Sequence, residues 1–246
     1  MITETTTRIT MWSGPRNIST AMLRSFENRA DAVVVDEPLY AHYLTQVSID
    51  HPGQDEVIAH HETDWRKVVA KLLGPLPPGK RVFYQKHMAH HLLPEIDRAW
   101  LDRAVNVFLI REPEAMLTSL IKKIPEPGVE DTGLPQQVEL FNRVRERSDK
   151  TPPVLDSRDV LLDPRGMLSA LCAAAEIPFD DAMLSWPAGK RDSDGIWAKY
   201  WYAEVEKSTG FQPYREKDER VPDRLRGVLD ECSEHYAVLH AARLQV

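Results

Sequence analysis

Short apolar runs alternate with segments of helical spacing along this chain, and the alternation predicts repeated strand–helix units. Residues 8–13 (RITMWS) form an apolar run that stops at Gly14-Pro15, and residues 19–29 follow with Met22, Leu23 and Phe26 on one helical side. That is strand, loop, helix. A second buried strand, DAVVVDEP, is stopped by Pro38, and Thr63 and Asp64 precede a helix over WRKVVAKLL that Gly74-Pro75 closes. After the linker GPLPPGK, RVFYQK and AVNVFLI read as a third and a fourth strand, and Pro113 suits the first turn of a helix within EPEAMLTSLIKK. Residues 125–135, rich in breakers, predict a mobile surface loop ahead of a charged helix over 136–148. PVLDSRDVLL predicts a fifth strand with a polar tail, PRGMLSALCAAAE a helix, and the last 25 residues a helix. The pattern implies an α/β protein of three layers, α/β/α, around a mainly parallel central sheet, with residues 1–246 as one domain.

Composition narrows the class. With 42% hydrophobic and 28% charged residues the chain is globular rather than disordered. No apolar run approaches the roughly 18 residues of a membrane helix, so a soluble chain is expected. The first ten residues carry Glu4 and no apolar stretch, which does not read as a signal peptide. Two cysteines, Cys172 and Cys232, make no disulfide framework or metal spacing, which fits a reducing, cytoplasmic setting. A net charge of -7 argues against a broad nucleic-acid surface, so an anionic ligand needs local cations.

Those cations have candidates. Trp12-Ser-Gly-Pro-Arg-Asn-Ile-Ser-Thr20 is a strand that ends in a tight polar turn and feeds a helix, which offers unpaired backbone N–H groups to an anion. Arg16 adds fixed charge, and Ser19 and Thr20 add hydroxyls. The nucleotide motif G-x-x-x-x-G-K-[ST] is absent, because Ser19, Thr20 and Ala21 stand at its last three places. The plainer account is an ordinary βα turn with a surface arginine. Arg111, at the end of the fourth strand, supplies a planar fork suited to phosphate, and Ser119 lies about two helical turns on. Pairing of Arg111 with Glu112 or Glu114 is its plainer account.

Taken together the two segments resemble the P-loop-fold sulfotransferases that use 3′-phosphoadenosine 5′-phosphosulfate (PAPS). The family's first motif, roughly S-x-P-R-S-G-S-T, is similar to Ser13-Gly14-Pro15-Arg16-Asn17-Ile18-Ser19-Thr20, and its second, R-x-P-x-x-x-x-x-S, to Arg111, Pro113 and Ser119. The resemblance implies a P-loop-like fold in which Gly14, Arg16, Asn17, Ile18, Ser19 and Thr20 hold the 5′-phosphosulfate, and Arg111 and Ser119 the 3′-phosphate. A late basic loop of the family, R-K-G followed by G-x-W, is loosely similar to Lys190-Arg191 and Gly195-Ile196-Trp197, which would give Lys190 and Arg191 a share of the 3′-phosphate. One departure stands out. Ile18 replaces the loop glycine, and since a β-branched residue resists positive φ, the turn is expected to use a conformation open to it.

Sulfuryl transfer needs a base and cations. His87, after the third strand, looks like the family's strand-end histidine base, with Lys86 beside it for the cofactor; Glu37 resembles the carboxylate base of a subset whose second strand ends in Glu-Pro. A glutamate needs burial to raise its pKa, whereas an ordinary histidine is already suitable. The sequence leaves the two open. His60, His61, His87, His90 and His91 do not form a metal spacing, and no metal is expected. Lys122 and Lys123 suit a helix C-terminus. Arg143, Arg145, Arg147 and Lys150 suit a solvated face. Trp197, Trp201 and Tyr202 either line an acceptor pocket or pack beneath a lid loop. The resemblance thus implies metal-independent transfer from PAPS to a hydroxyl or amine of a small acceptor, whose pocket residues 40–62 and 124–150 would shape, with no nucleic-acid or membrane partner. Two rivals remain. Asp36, ending VVVD, could pass for the magnesium ligand of a phosphoryl-transfer enzyme, and Ile18 could mark a nucleotide-binding module without turnover.

Overall fold

The computed structural model describes residues 6–47, 51–148, 150–216 and 218–246. Residues 1–5, with Glu4, lie outside the described residues, as do residues 48–50 and 149 of the two segments expected to shape an acceptor pocket.

Five parallel strands, β1 (Thr7–Ser13), β2 (Ala32–Asp36), β3 (Val82–Met88), β4 (Val105–Ile110) and β5 (Val154–Asp156), form one sheet in the order β2-β3-β1-β4-β5. Among the described residues the helices are α1 (Ser19–Glu27), α2 (Tyr40–Gln46), α3 (Gln54–His60), α4 (Trp65–Leu72), α5 (Pro113–Leu120), α6 (Leu134–Arg147), α7 (Ser157–Leu162), α8 (Pro164–Ala174), α9 (Ala198–Trp201) and α10 (Arg226–His240). Parallel strands require such crossovers. The chain leaves the central β1 to build one edge and then crosses back to build the other. The carboxyl end of β1 is therefore a topological switch point, where diverging connections leave a crevice.

The pleat sorts side chains into the two outer layers. Ile9 and Met11 of β1 pack with Met22 and Phe26 of α1 and Leu168 and Leu171 of α8. Trp12 points the other way, into a layer with Leu117, Leu140 and Leu239 of α5, α6 and α10. A third, smaller cluster joins Tyr40, Tyr43 and Leu44 of α2 to Val57, Trp197 and Tyr202. It forms above the carboxyl end of β2 and β3.

Three expectations need correction. β5 holds three residues, because the Asp156 carboxylate accepts from Arg158 N–H at 2.7 Å and caps α7; the polar tail is helix, not strand. The terminal helix stops at His240, after which Leu244 N–H donates to Val154 O at 2.8 Å and the chain runs beside β5. Finally, residues 125–135 are not simply a surface loop, since Thr132, Gly133 and Leu134 are buried and α6 already starts at Leu134. The Thr132 carbonyl lies against the turn after β1, which explains that burial.

Candidate active site

β1 ends at Ser13, and residues 14–18 turn into α1. A Cβ on Gly14 would stand 2.1 Å from the Thr132 carbonyl oxygen, so the close approach of the two segments requires glycine. Gln137 of α6 is fully buried, and with its amide NH2 donating to the Trp12 and Leu109 carbonyls its oxygen accepts from Gly14 N–H, each at 3.2 Å. Asn17 Nδ2 also donates to Leu109 O at 3.2 Å, and Ser157 Oγ donates to Ile110 O at 2.7 Å while lying 3.2 Å from Asn17 O. The turn is thus bolted to β4 and α7.

Its backbone is strained. Arg16 and Ile18 have φ of 63° and 58°, so the β-branched residue occupies the left-handed region that it was expected to avoid. That conformation costs about 1–2 kcal/mol for an L-residue. Packing of the Ile18 side chain against the α1 layer offsets part of it. As the residue before α1, Ile18 supplies no side-chain cap, and Ser19, Thr20 and Ala21 of the first turn border a cavity of about 360 Å³. Uncapped first-turn amides at the positive end of a helix suit an anion.

Arg111 arrives from β4. Its Nη1 donates to Arg16 O at 2.6 Å, and Arg16 Nε donates to Ser119 Oγ of α5 at 3.0 Å. Both guanidiniums border the cavity, and burial followed by repulsion from Arg16 lowers the pKa of Arg111. Burial lowers that of Arg16 as well. The groups they bond are a carbonyl and a hydroxyl, and carboxylates act on them only through space, Glu204 on Arg16 and Glu112 and Asp156 on Arg111. A polyanion would bond them directly.

Glu37 and Lys86 border the same cavity. Lys86, only 1% exposed at the end of β3, donates to Asp36 Oδ1 at 2.7 Å, Glu37 Oε1 at 2.5 Å and Tyr202 Oη at 3.0 Å. Glu37 has φ 39° and donates its backbone N–H to Lys86 O at 2.9 Å, a turn that brings its side chain back over the lysine. Burial raises the Glu37 pKa; Lys86 works against that, and Asp36 reinforces it. Lys86 is held well above its ordinary value because its carboxylate partners outweigh burial. Both Asp36 oxygens are engaged, one by Lys86 and the other by Tyr202 Oη at 2.5 Å, and the residue is buried and does not border the cavity.

Not every residue singled out in the sequence reaches this place. His87 follows Lys86 on a strand, so the pleat sends it to the other face, where it is 1% exposed and stacked on Trp12 at 4.5 Å. Burial, with Lys86 nearby, lowers its pKa to about 3. It does not border the cavity. Lys190 and Arg191 do not border it either: Arg191 Nη2 donates to Pro187 O at 2.5 Å, and its Nε lies 3.6 Å from Glu27 of α1. Trp197, Trp201 and Tyr202 do border it, and Tyr202 also packs in the third hydrophobic cluster, so the two accounts of these rings hold together.

Sequence reasoning missed His91. Its ring stacks on Tyr40 at 4.7 Å and Tyr43 at 4.6 Å, and its Nδ1 lies 3.9 Å from Glu37 Oε2. Burial, reinforced by His90 and His51, keeps it neutral. The available signal was its place just past the carboxyl end of β3, on the same sheet end as Glu37 and Arg111. Of the segments expected to shape a pocket, Tyr40, Tyr43, His51, Ile124 and Asp131 contribute lining, whereas α6 stays behind the turn.

A parallel sheet with an anion-ready turn at its switch point, a second arginine bound to that turn and a buried carboxylate–lysine pair at the same cavity define a P-loop-like group-transfer protein. The chain belongs to the sulfotransferase domain family, whose profile matches residues 7–236. Two curated relatives from Arabidopsis thaliana, branched-chain-amino-acid aminotransferase-like proteins 2 and 1, are 34% identical over 230 and 231 residues. Those segments cover 93% and 94% of this chain but 40% and 41% of the relatives, so the chain spans about two fifths of their length. In fold it is similar to the sulfotransferase domain of the Synechococcus PCC 7002 olefin synthase (TM-score 0.57, 15% identity, 96% of this chain and 97% of that one). It is also similar to the sulfotransferase domain of the curacin biosynthetic pathway (TM-score 0.55, 13% identity, 96% and 99%). Among the described residues no helix is long and apolar enough to cross a membrane.

Proposed function

We propose that this chain transfers a sulfuryl group from PAPS to a hydroxyl or amine of a small acceptor, with Glu37 as the base. The observation that carries the reading is the 2.6 Å bond from Arg111 to the Arg16 carbonyl, which joins two distant segments at a single cavity. The donor set suits a nucleotide with phosphates at both its 3′ and 5′ positions: uncapped α1 amides, Arg16 and Arg111 all border the one cavity. When bound, PAPS supplies the sulfuryl group and departs as adenosine 3′,5′-bisphosphate.

The chain's own residues do the rest. Glu37, its pKa raised by burial, accepts the acceptor's proton at a carboxylate oxygen more readily than an exposed glutamate would. Lys86 orients that carboxylate and, together with Arg16 and the α1 amides, offsets negative charge that builds beside the turn. Arg111 is assigned to the 3′-phosphate. Ser119 acts through Arg16, which it holds in place. Tyr40, Tyr43 and Trp197 wall the acceptor side and exclude water. No role is assigned to His87, Lys190 or Arg191. The phosphoryl-transfer rival is less favoured, because Asp36 is buried beside Lys86 and Tyr202 and does not border the cavity.

Calorimetry with adenosine 3′,5′-bisphosphate tests the reading. Micromolar binding is expected; absence of binding by the intact protein overturns it. A chain that binds the bisphosphate yet yields no sulfated product from labelled PAPS and a broad acceptor library is the silent module instead.

A further inference from the structure

We propose that Asp36 and Tyr202 are positioning residues for Glu37: together they hold Lys86 so that its charge is divided between two carboxylates, which aims Glu37 at the cavity while leaving it able to take a proton. The inference rests on Glu37 being the base.

An ammonium has three N–H donors, and all three of Lys86 are engaged, one each by Asp36 Oδ1, Glu37 Oε1 and Tyr202 Oη. Tyr202 closes a ring, since the oxygen that accepts from Lys86 belongs to the hydroxyl that donates to Asp36 Oδ2 at 2.5 Å. The three positioning groups come from β2, β3 and the turn after α9, and each is buried. Their arrangement solves a conflict. A lysine is needed to fix the carboxylate, yet a buried lysine paired with Glu37 alone would hold that carboxylate in its ionised form and weaken it as a base. Asp36 takes a share of the cation, and its own charge acts on Glu37 in the opposite sense to Lys86. Tyr202 anchors the Asp36 carboxylate, so that Lys86 is not drawn wholly to Asp36.

The other groups that face Glu37 add no charge of their own. His91, 3.9 Å away, is held neutral by burial, and burial and Glu37 itself keep the Tyr40 phenol protonated. The balance is therefore set by Asp36, Lys86 and Tyr202.

The test is a titration of the full chain labelled with carbon-13 at glutamate Cδ, followed by NMR; the resonance absent from Glu37→Gln is that of Glu37. In the unmodified protein its midpoint should lie above the usual carboxylate range, because the carboxylate is buried. Asp36→Asn should lower it by about one pH unit or more, because Lys86 then belongs to Glu37 alone. Tyr202→Phe should raise it, because Asp36 loses its other donor and draws Lys86 away. Shifts of opposite sign support the proposal, and any other pair of results overturns it. Should Asp36→Asn fail to fold, Tyr202→Phe decides alone: a rise supports, and no change or a fall overturns. The base assignment is read separately. If turnover of Glu37→Gln keeps the acid limb of the unmodified enzyme, Glu37 is not the base, whatever the titration shows.

Discussion

Replacing Arg111 by alanine removes the group that links the two anion-binding segments, and the cost can be worked out from its contacts. Arg111 makes one charged-donor bond to the Arg16 carbonyl at 2.6 Å, and the proposed function adds a contact to the 3′-phosphate. A hydrogen bond that involves a charged group contributes about 1.5–3 kcal/mol. Since about 1.4 kcal/mol is tenfold in affinity, loss of the phosphate contact should weaken adenosine 3′,5′-bisphosphate by roughly 10- to 150-fold, toward the lower end because the side chain is only half-buried. Loss of the bond to Arg16 would disturb the turn as well, and the two effects must be separated. Adenosine 5′-phosphate, which lacks the 3′ group, provides the other half of a cycle. If Arg111 grips the 3′-phosphate, the alanine variant loses more affinity for the bisphosphate than for the 5′-monophosphate, which feels only the disturbed turn. If it only braces the turn, both ligands weaken alike. Isothermal calorimetry on both proteins with both ligands, after thermal melts have shown both to be folded, gives the four numbers. Equal losses for the two nucleotides would refute the 3′-phosphate assignment.

Glu37→Gln should lower turnover by about 10²- to 10⁴-fold while bisphosphate affinity stays unchanged, whereas His87→Ala, which empties a ring site stacked on Trp12, should destabilise the fold by about 2–4 kcal/mol and leave turnover per folded molecule intact. Loss of the intrinsic rate in the His87 variant would reverse the assignment. Stability should fall below neutral pH. The folded-state pKa values of His87 and His90, about 3 each, and that of His91, well below the usual value, lie under the unfolded value near 6.5, so the unfolded chain binds more protons between those limits and each group takes away about 1.4 kcal/mol per pH unit as pH drops. Glu37 and Asp156, raised in the fold, act in the opposite sense over their own windows and offset at most two of the three. Urea midpoints between pH 7 and pH 5 check the sum, and a flat profile would contradict it. Gly14→Ala sets a methyl 2.1 Å from the Thr132 carbonyl and should abolish bisphosphate binding at a cost of about 1–3 kcal/mol in stability; a variant that binds normally would show that the turn yields.

Much of this molecule was legible in local chemistry. Strand and helix order follow from periodicity, the parallel sheet from their alternation, and the anion turn from the Gly14–Thr20 segment, because propensity and pleat act over a few residues. The placement of His87 on the face opposite Lys86 was legible in principle too, since neighbours on a strand face opposite sides. Tertiary structure decided the rest. Positive φ at Arg16 and Ile18 is imposed by bonds to β4 and α7, far along the chain, and these override the local preference of a β-branched residue. The burial of Glu37 beside Asp36, Lys86 and Tyr202 depends on three separate segments that the fold brings together. Lys190 and Arg191 look right as a motif but do not border the cavity, and Arg191 reaches Glu27 instead, because a loop's destination is fixed by what it packs against. Sequence sets which groups are present and on which face of an element they project; basicity and convergence arise only when remote segments exclude water around them.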